Sequence, residues 1–368
     1  MSNYETITNW FVDLQALIMS EPEYAPLRAL FPVEAERMRD HALASRLHER
    51  AIQVIITTYN VEVERLMIGA IGRLQRRQLG LGLPTDVDEA RAMAIAGALD
   101  EAGHAPLGSV NAPAVADMRA YLEAQMVDPG DDRPLCDLAA AKDANIAQYP
   151  MAAVVGCPHF AAIASDPTTI AAVAHHLGAL PTVLGYTAWW SFAGRPEARE
   201  AQFFHFDLDD YRICKLFVYL TDVEADSGPH IYVEGTHRPA IVAQARRAWA
   251  GGEADFDAWY LQRLRKSDAE VEKVFERQTA ILTGPAGTTF LADTRGIHKG
   301  LLPDRADRLV GQVLYGVTPR IQEALEPLDL GTPATAHVPD WVVGTPTLDY
   351  ANRLFLRPAV LPRQGERP

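Results

Sequence analysis

Four residues of this 368-residue chain have the types and spacing to do chemistry on a redox metal. His205 and Asp207 form a His-x-Asp pair inside the aromatic stretch 203–209, a second histidine, His298, lies downstream in 293–300, and Arg308 heads the apolar run 309–317. Two imidazoles and one carboxylate suit a non-haem Fe(II) ion and leave coordination positions open for substrate and oxygen. An arginine adds a planar, always-charged fork that matches the carboxylate of a co-substrate.

A His-x-Asp pair is weak by itself in a chain with eleven histidines, and its setting supplies the specificity. Residues 205 and 207 share parity, so on a strand both side chains leave the same face. Phe203, Phe204 and Phe206 give that segment the bulk and β-propensity of a strand with one buried face. A strand-like segment at 212–221 follows after the short polar stretch 208–211. The distal half repeats the grammar: a Gly-Pro-Ala-Gly turn at 284–287, a strand at 288–292, then His298 and the strand that carries Arg308.

The pattern resembles the phytanoyl-CoA dioxygenase family within the wider 2-oxoglutarate-dependent oxygenases. The resemblance runs over roughly residues 100–320. Its carriers are His205-Phe-Asp207, Ser227-Gly228-Pro229 leading into Gly235-Thr236-His237-Arg238, the Ala286-Gly287-Thr288 turn, His298 and Arg308. It implies an α+β fold, with a double-stranded β-helix (jelly-roll) core and helices packed outside. It further implies iron held by His205, Asp207 and His298, with the far carboxylate of 2-oxoglutarate gripped by Arg308. Some relatives carry a small residue in place of the acidic ligand and bind halide there; Asp207 favours oxygenation. The activity so implied is hydroxylation of an unactivated C–H bond of a small-molecule metabolite, with O2 consumed and succinate and CO2 released. The family's name is not itself a reason to expect a CoA ester.

Two other readings stay open. A cupin-like metalloenzyme without a keto acid would keep the ligands but need no arginine at 308, and a non-catalytic jelly-roll binding protein would need neither. Arg305 rivals Arg308 as the anchor, although strand placement and family spacing favour Arg308. Lys215 either faces the interior and touches a carboxylate or snorkels outward. Trp189 and Trp190 read as core, with substrate stacking as the alternative. His230 and His237 read as structural rather than as ligands. His175 and His176, at a helix end, suit that position electrostatically and are not expected to form a site.

Composition bounds the rest. Hydrophobic content of 48% and charged content of 22% describe a globular protein. A formal charge of −14 argues against a nucleic-acid partner, since no basic surplus exists to neutralise phosphates. Cys136, Cys157 and Cys214 have no metal-ligand spacing and no even pairing, which fits a reduced cytoplasmic interior. The amino terminus lacks the pattern of a secretory signal, and no apolar run has membrane-span length.

Helical spacing dominates residues 5–80, breaks at 80–84 and resumes at 86–102. A short edge strand at 103–110, a helix at 113–125 and helical blocks at 138–148 and 158–179 lead to β texture from Thr182. This organises the chain as a helical region at 1–105, which packs outside the core or forms a homodimer contact, an oxygenase core at 106–320, and a tail at 321–368 that wraps the surface. The core carries a polar, helix-prone insertion at 239–279, expected to act as a lid over the open end.

Overall fold

The computed structural model describes residues 3–319 and 326–358. The remaining parts of the expected tail, 321–325 and 359–368, lie outside the described residues. The fold mixes helices with two antiparallel sheets and a parallel pair of short strands, Leu328–Asp329 and Leu356–Arg357, and the sheets do not close into a single hydrogen-bonded barrel. The strands are β1 (His104–Ser109), β2 (Ile146–Gln148), β3 (Thr182–Ser191), β4 (Ile213–Tyr219), β5 (His230–Val233), β6 (Thr279–Leu282), β7 (Thr288–Ala292), β8 (His298–Gly300) and β9 (Arg308–Gly316). Six of them form one sheet in the order β1-β7-β4-β9-β3-β2, and three form another in the order β6-β5-β8.

Period-two alternation explains what each sheet faces. Along β4, Cys214, Leu216 and Val218 enter the main apolar core, while Lys215, Phe217 and Tyr219 point to the space between the sheets. Along β9, Leu309 and Val313 join the main core, whereas Arg308, Val310 and Gln312 line the interior. Gly311 faces the helices, where a Cβ would come within 2.8 Å of the Phe160 ring. Phe217 stacks on Phe290 at 4.9 Å and meets His230 of the opposite sheet at 4.7 Å. The Tyr219 hydroxyl donates to the Leu282 carbonyl at 2.7 Å and accepts from the His230 N–H at 3.0 Å. The two sheets are thus tied to each other by rings and hydrogen bonds.

Helices cover the outer face of the larger sheet. The helices α1 (Asn3–Ser20), α2 (His41–Thr57), α3 (Val61–Arg73) and α4 (Glu89–Ala102) share one core with that sheet. Asp40, Asn60 and Asp88 cap α2, α3 and α4 by accepting from the N–H three residues on. Ile7, Trp10, Phe11, Leu14 and Ile18 of α1 are buried within the chain itself, so, of the two roles expected for the helical region, packing outside the core is the one seen, and nothing supports the homodimer contact. The boundary expected at 105/106 falls inside β1, which pairs with β7. No described helix is long and apolar enough to cross a membrane.

Three expectations are corrected. The block 138–148 is turns followed by β2, not a helix: alanine is the best helix former, but intrinsic propensity is a weak prior that tertiary pairing overrides, and residues 146–148 pair instead with Trp189–Ser191 of β3. The described part of the tail does not merely wrap the surface. Val342, Leu348, Leu354 and Phe355 are buried in the main core, and Trp10 donates to the Tyr350 hydroxyl at 3.1 Å. The insertion is not a lid over the opening. Its Val242, Phe256, Tyr260, Val271 and Phe275 form a core with Phe204, Ile231, Val233 and Ile297, on the outer face of the three-stranded sheet.

A buried ionic network joins the helical region to the strands. His176, at the end of the helix Pro167–Leu177, bridges Asp100 of α4 at 2.7 Å and Asp293 at 3.0 Å, and Arg295 pairs with Asp293 at 2.7 Å. Burial alone would lower the His176 pKa, but hydrogen bonds donated by its ring to Asp100 and then to Asp293 outweigh it and hold the ring above its ordinary 6.5. A raised folded-state pKa contributes stability that is complete below the unfolded value and fades as pH rises through the folded value. His176→Gln should therefore lose the fall in urea midpoint that the wild-type protein shows across that window. An unchanged pH profile in the variant would remove His176 from this role.

Candidate active site

The three-stranded sheet has two faces with opposite jobs, set by parity alone. Phe204 and Phe206, Ile231 and Val233, and Ile297 turn toward the insertion. Their neighbours His205 and Asp207, His230, and His298 turn into the interior and line one cavity of about 610 Å³. The 204–207 segment is not a full strand, as its sequence suggested. His205 and His298 exchange both backbone hydrogen bonds at 2.9 Å, and the Asp207 N–H donates to the Thr294 carbonyl at 2.8 Å. Those bonds fix the two motifs side by side. From behind, Lys266 is buried against the faces of Phe206, Trp259 and Tyr260, and Lys299 bonds Asp268 while lying over Phe204. The insertion therefore backs the segments that carry His205, Asp207 and His298.

His205, Asp207 and His298 each offer one ligand atom, and these atoms lie within 4.8 Å of one another, the only such group of three among the described residues. His205 Nδ1 donates to the Phe203 carbonyl and His298 Nδ1 to the Gly296 carbonyl, both at 2.9 Å. A carbonyl only accepts, so each Nδ1 holds the proton and each Nε2 keeps its lone pair. Those Nε2 atoms face the carboxylate, at 3.8 Å from Asp207 Oδ1 and 3.6 Å from Oδ2. Burial, and then the neighbouring His298, pushes the His205 pKa down to about 3, and burial lowers that of His298 as well. Two lone pairs and a carboxylate oriented at one point, with no proton between them, are the donor set a divalent cation completes.

Burial would raise the Asp207 pKa, but Lys215 and then the two imidazoles outweigh it and keep the carboxylate ionised. Lys215 Nζ lies 2.7 Å from Asp207 Oδ2 and 3.5 Å from Asp209 Oδ2. Of the two orientations open in the sequence, Lys215 takes the interior one.

Arg308 and Arg305 separate cleanly. Arg305 has 79% of its side chain exposed and pairs with Asp226 outside the cavity. Arg308 is buried in the cavity wall, where Nη2 donates to Ser191 Oγ at 3.0 Å and Nη1 to the Gly228 carbonyl. Ser191 is its register partner across β3 and β9. Two glycines make the space: Gly228 has φ 75°, and a Cβ on Gly300 would sit 3.1 Å from Arg308 Nη2. No acidic side chain pairs with Arg308 among the described residues, and burial lowers its pKa. Gly300→Ala should push the guanidinium aside and weaken binding of a dicarboxylate about tenfold, while metal titration stays unchanged. Equal dicarboxylate affinity would show that Arg308 has room to give.

Trp189 lines the cavity, whereas Trp190 faces away, donating to the Tyr149 hydroxyl at 2.9 Å and stacking on Phe192. His230 stacks on His298 with ring centroids 5.3 Å apart, and its Nε2 has no hydrogen-bond partner among the described residues. His237 lies outside this cavity, bonded to the Asp100 carbonyl. Sequence reasoning missed Ser191, Gly228 and Gly300 as the seat of Arg308. Their signal was faint: a serine and two glycines whose relevance depends on long-range register. Arg265, the insertion's contribution to the cavity, carried no signal at all.

No family model matches the chain, and no curated protein sequence matches it. Among solved structures it is similar to the non-heme alpha-ketoglutarate-dependent epimerase SnoN from nogalamycin biosynthesis. That pair shares 15% identity at a TM-score of 0.42, over 62% of this chain and 84% of that one. HygX from Streptomyces hygroscopicus, with nickel and 2-oxoglutarate bound, shares 18% identity at 0.41, over 65% and 91% of the two chains. EctD from S. alaskensis, with 2-oxoglutarate and 5-hydroxyectoine, shares 17% identity at 0.44, over 66% and 82%.

Proposed function

We propose that this chain is an Fe(II)- and 2-oxoglutarate-dependent dioxygenase of the phytanoyl-CoA dioxygenase-like type, hydroxylating a C–H bond of a small-molecule metabolite. His205, Asp207 and His298 are assigned as the iron ligands and Arg308 as the anchor of the co-substrate's far carboxylate. The observation that carries the reading is the pairing, in one cavity, of the His-Asp-His donor set with a buried guanidinium that has no acidic partner among the described residues. A buried charge is ordinarily paired, because leaving it alone costs several kcal/mol, on the order of the penalty for breaking a buried ion pair. A dicarboxylate answers that need. With Asp207 and Asp209, its two negative charges balance Arg308, Lys215 and a divalent ion.

The strand order supports a double-stranded β-helix. β7-β4-β9-β3 stand in one sheet, and β6-β5-β8 continue through the His205–His298 bridge in the other; from β3 to β9 successive segments alternate between the sheets, except that β5 and β6 pair with each other in one of them. Iron(II) with the keto acid would supply the oxidising chemistry, consuming O2 and releasing succinate and CO2 as a C–H bond is hydroxylated. The protein's own residues hold and orient. Phe217, Val310 and Trp189 wall the cavity with apolar surface, and Arg265 stands among its lining residues.

Oxygen uptake by the Fe(II)-loaded protein should depend on added 2-oxoglutarate and be matched by succinate release. Uptake that is the same without the keto acid would favour a keto-acid-independent metalloenzyme. Metal binding with no uptake under any condition would favour a non-catalytic binding protein.

A further inference from the structure

We propose that Lys215 is a positioning residue that limits Asp207 to one coordinating oxygen. The inference rests on the reading of the cavity as an iron site. Both carboxylate oxygens of Asp207 face the imidazole lone pairs, Oδ1 at 3.8 Å from His205 Nε2 and Oδ2 at 3.6 Å from His298 Nε2. Geometry alone would therefore let either oxygen, or both, reach a cation placed between the rings. The ammonium of Lys215 sits 2.7 Å from Oδ2, within charge-assisted hydrogen-bond distance, and so occupies one of the two.

Lys215 is fixed in that role by its own surroundings. It lies on β4 in register with Ala292 of β7 and Leu314 of β9, two neighbours that offer its head no acceptor. Its side chain is 12% exposed, and its ionic partners are Asp207 and, more distantly, Asp209 at 3.5 Å. Asp209 lies near the same ammonium and helps to compensate its charge when Asp207 gives electron density to a metal. A carboxylate that chelates through both oxygens would take up a coordination position. Held to one oxygen, it leaves that position for a co-substrate that itself chelates through two atoms.

The expected signature has two parts of opposite sign, which general damage to the site would not produce. Lys215→Met keeps the length of the stem and removes the head. Unlike a partner that raises a ligand's basicity, Lys215 draws electron density from Asp207 and sets a positive charge beside the metal, so Co(II), used as a spectroscopic stand-in, should bind no more weakly to the variant than to wild type. Its visible ligand-field bands should differ from those of wild type, because a second carboxylate oxygen enters the donor set. Affinity of that Co(II) protein for 2-oxoglutarate should fall about tenfold or more, the usual range for removing a group that orients a ligand. Lys215→Arg, which keeps the charge and a donor, should recover part of the co-substrate affinity. Thermal melts of the metal-free variants establish that each is folded before titration.

Lys215→Met with wild-type Co(II) bands and wild-type 2-oxoglutarate affinity would overturn the inference. So would a variant whose Co(II) bands are unchanged while co-substrate affinity alone collapses, because Lys215 would then be binding the co-substrate directly. A wild-type protein that binds no divalent metal would instead overturn the iron-site reading itself, and that outcome is seen before any variant is made.

Discussion

Alanine at His205 or at His298 should abolish iron binding and turnover together, with metal affinity falling by more than about 100-fold, since even partners of ligands cost 10- to 100-fold when removed. The fold should survive. Among the described residues each imidazole makes one short-range hydrogen bond, from Nδ1 to the carbonyl two residues earlier, and the backbone exchange between 205 and 298 does not involve the side chains. His175→Ala is the matched control, because His175 pairs with Glu89 away from the cavity. A second signature follows from the low His205 pKa of about 3. Its ring is already neutral through the range where an ordinary imidazole titrates, so proton competition for the metal should be weak there. Equilibrium dialysis with iron, followed by metal analysis, reads both effects. Stoichiometric iron in both alanine variants would end the assignment of these ligands. Zinc in the purified wild type would not, because occupancy after expression follows availability as well as affinity.

The clustering of His205, Asp207 and His298 was legible because its logic is local. His205 and Asp207 share a face through strand parity, and the residues between them, Phe204 and Phe206, announce the buried opposite face. The apolar run after Arg308 marked a strand, which placed its side chain at a strand entrance. What remained hidden depends on register between distant segments. Ser191 meets Arg308 only because β3 pairs with β9 in one particular alignment, and Lys215 meets Asp207 only because the 208–212 link returns β4 beside it. The insertion at 239–279 shows the same limit. Its helices were recognisable from composition, but their destination was not. The alternation that sends Ile231, Val233 and Ile297 outward creates an apolar face that must be covered, and the insertion covers it. In the block 138–148, alanine-rich helical propensity is worth a few tenths of a kcal/mol per residue, about the size that pairing with an edge strand overrides.

Arg308→Ala should raise the 2-oxoglutarate requirement steeply and leave Fe(II) binding nearly intact. Truncating one partner of a buried, hydrogen-bonded charge pair typically costs about 2–5 kcal/mol, or roughly 30-fold to several thousand-fold in affinity. The structure places this arginine toward the upper part of that range, because its head is buried, has no acidic partner among the described residues, and is already held by Ser191 Oγ and the Gly228 carbonyl. A ligand carboxylate thus meets a donor fork that needs little further ordering. Arg308→Lys should recover only part of the loss, since an ammonium keeps the charge but not the fork, and a single head cannot hold Ser191, Gly228 and a carboxylate in the same geometry. Arg305→Ala should do little, its guanidinium being solvent-exposed on Asp226. Anaerobic titration of the iron-loaded variants with 2-oxoglutarate, followed by the visible band of the iron–keto-acid complex, separates these effects from metal loss. A steep loss from Arg305→Ala with a silent Arg308→Ala would move the anchor to the cavity's exterior. That would leave the buried guanidinium without a ligand to neutralise it, a charge arrangement the fold would then have to justify by stability alone.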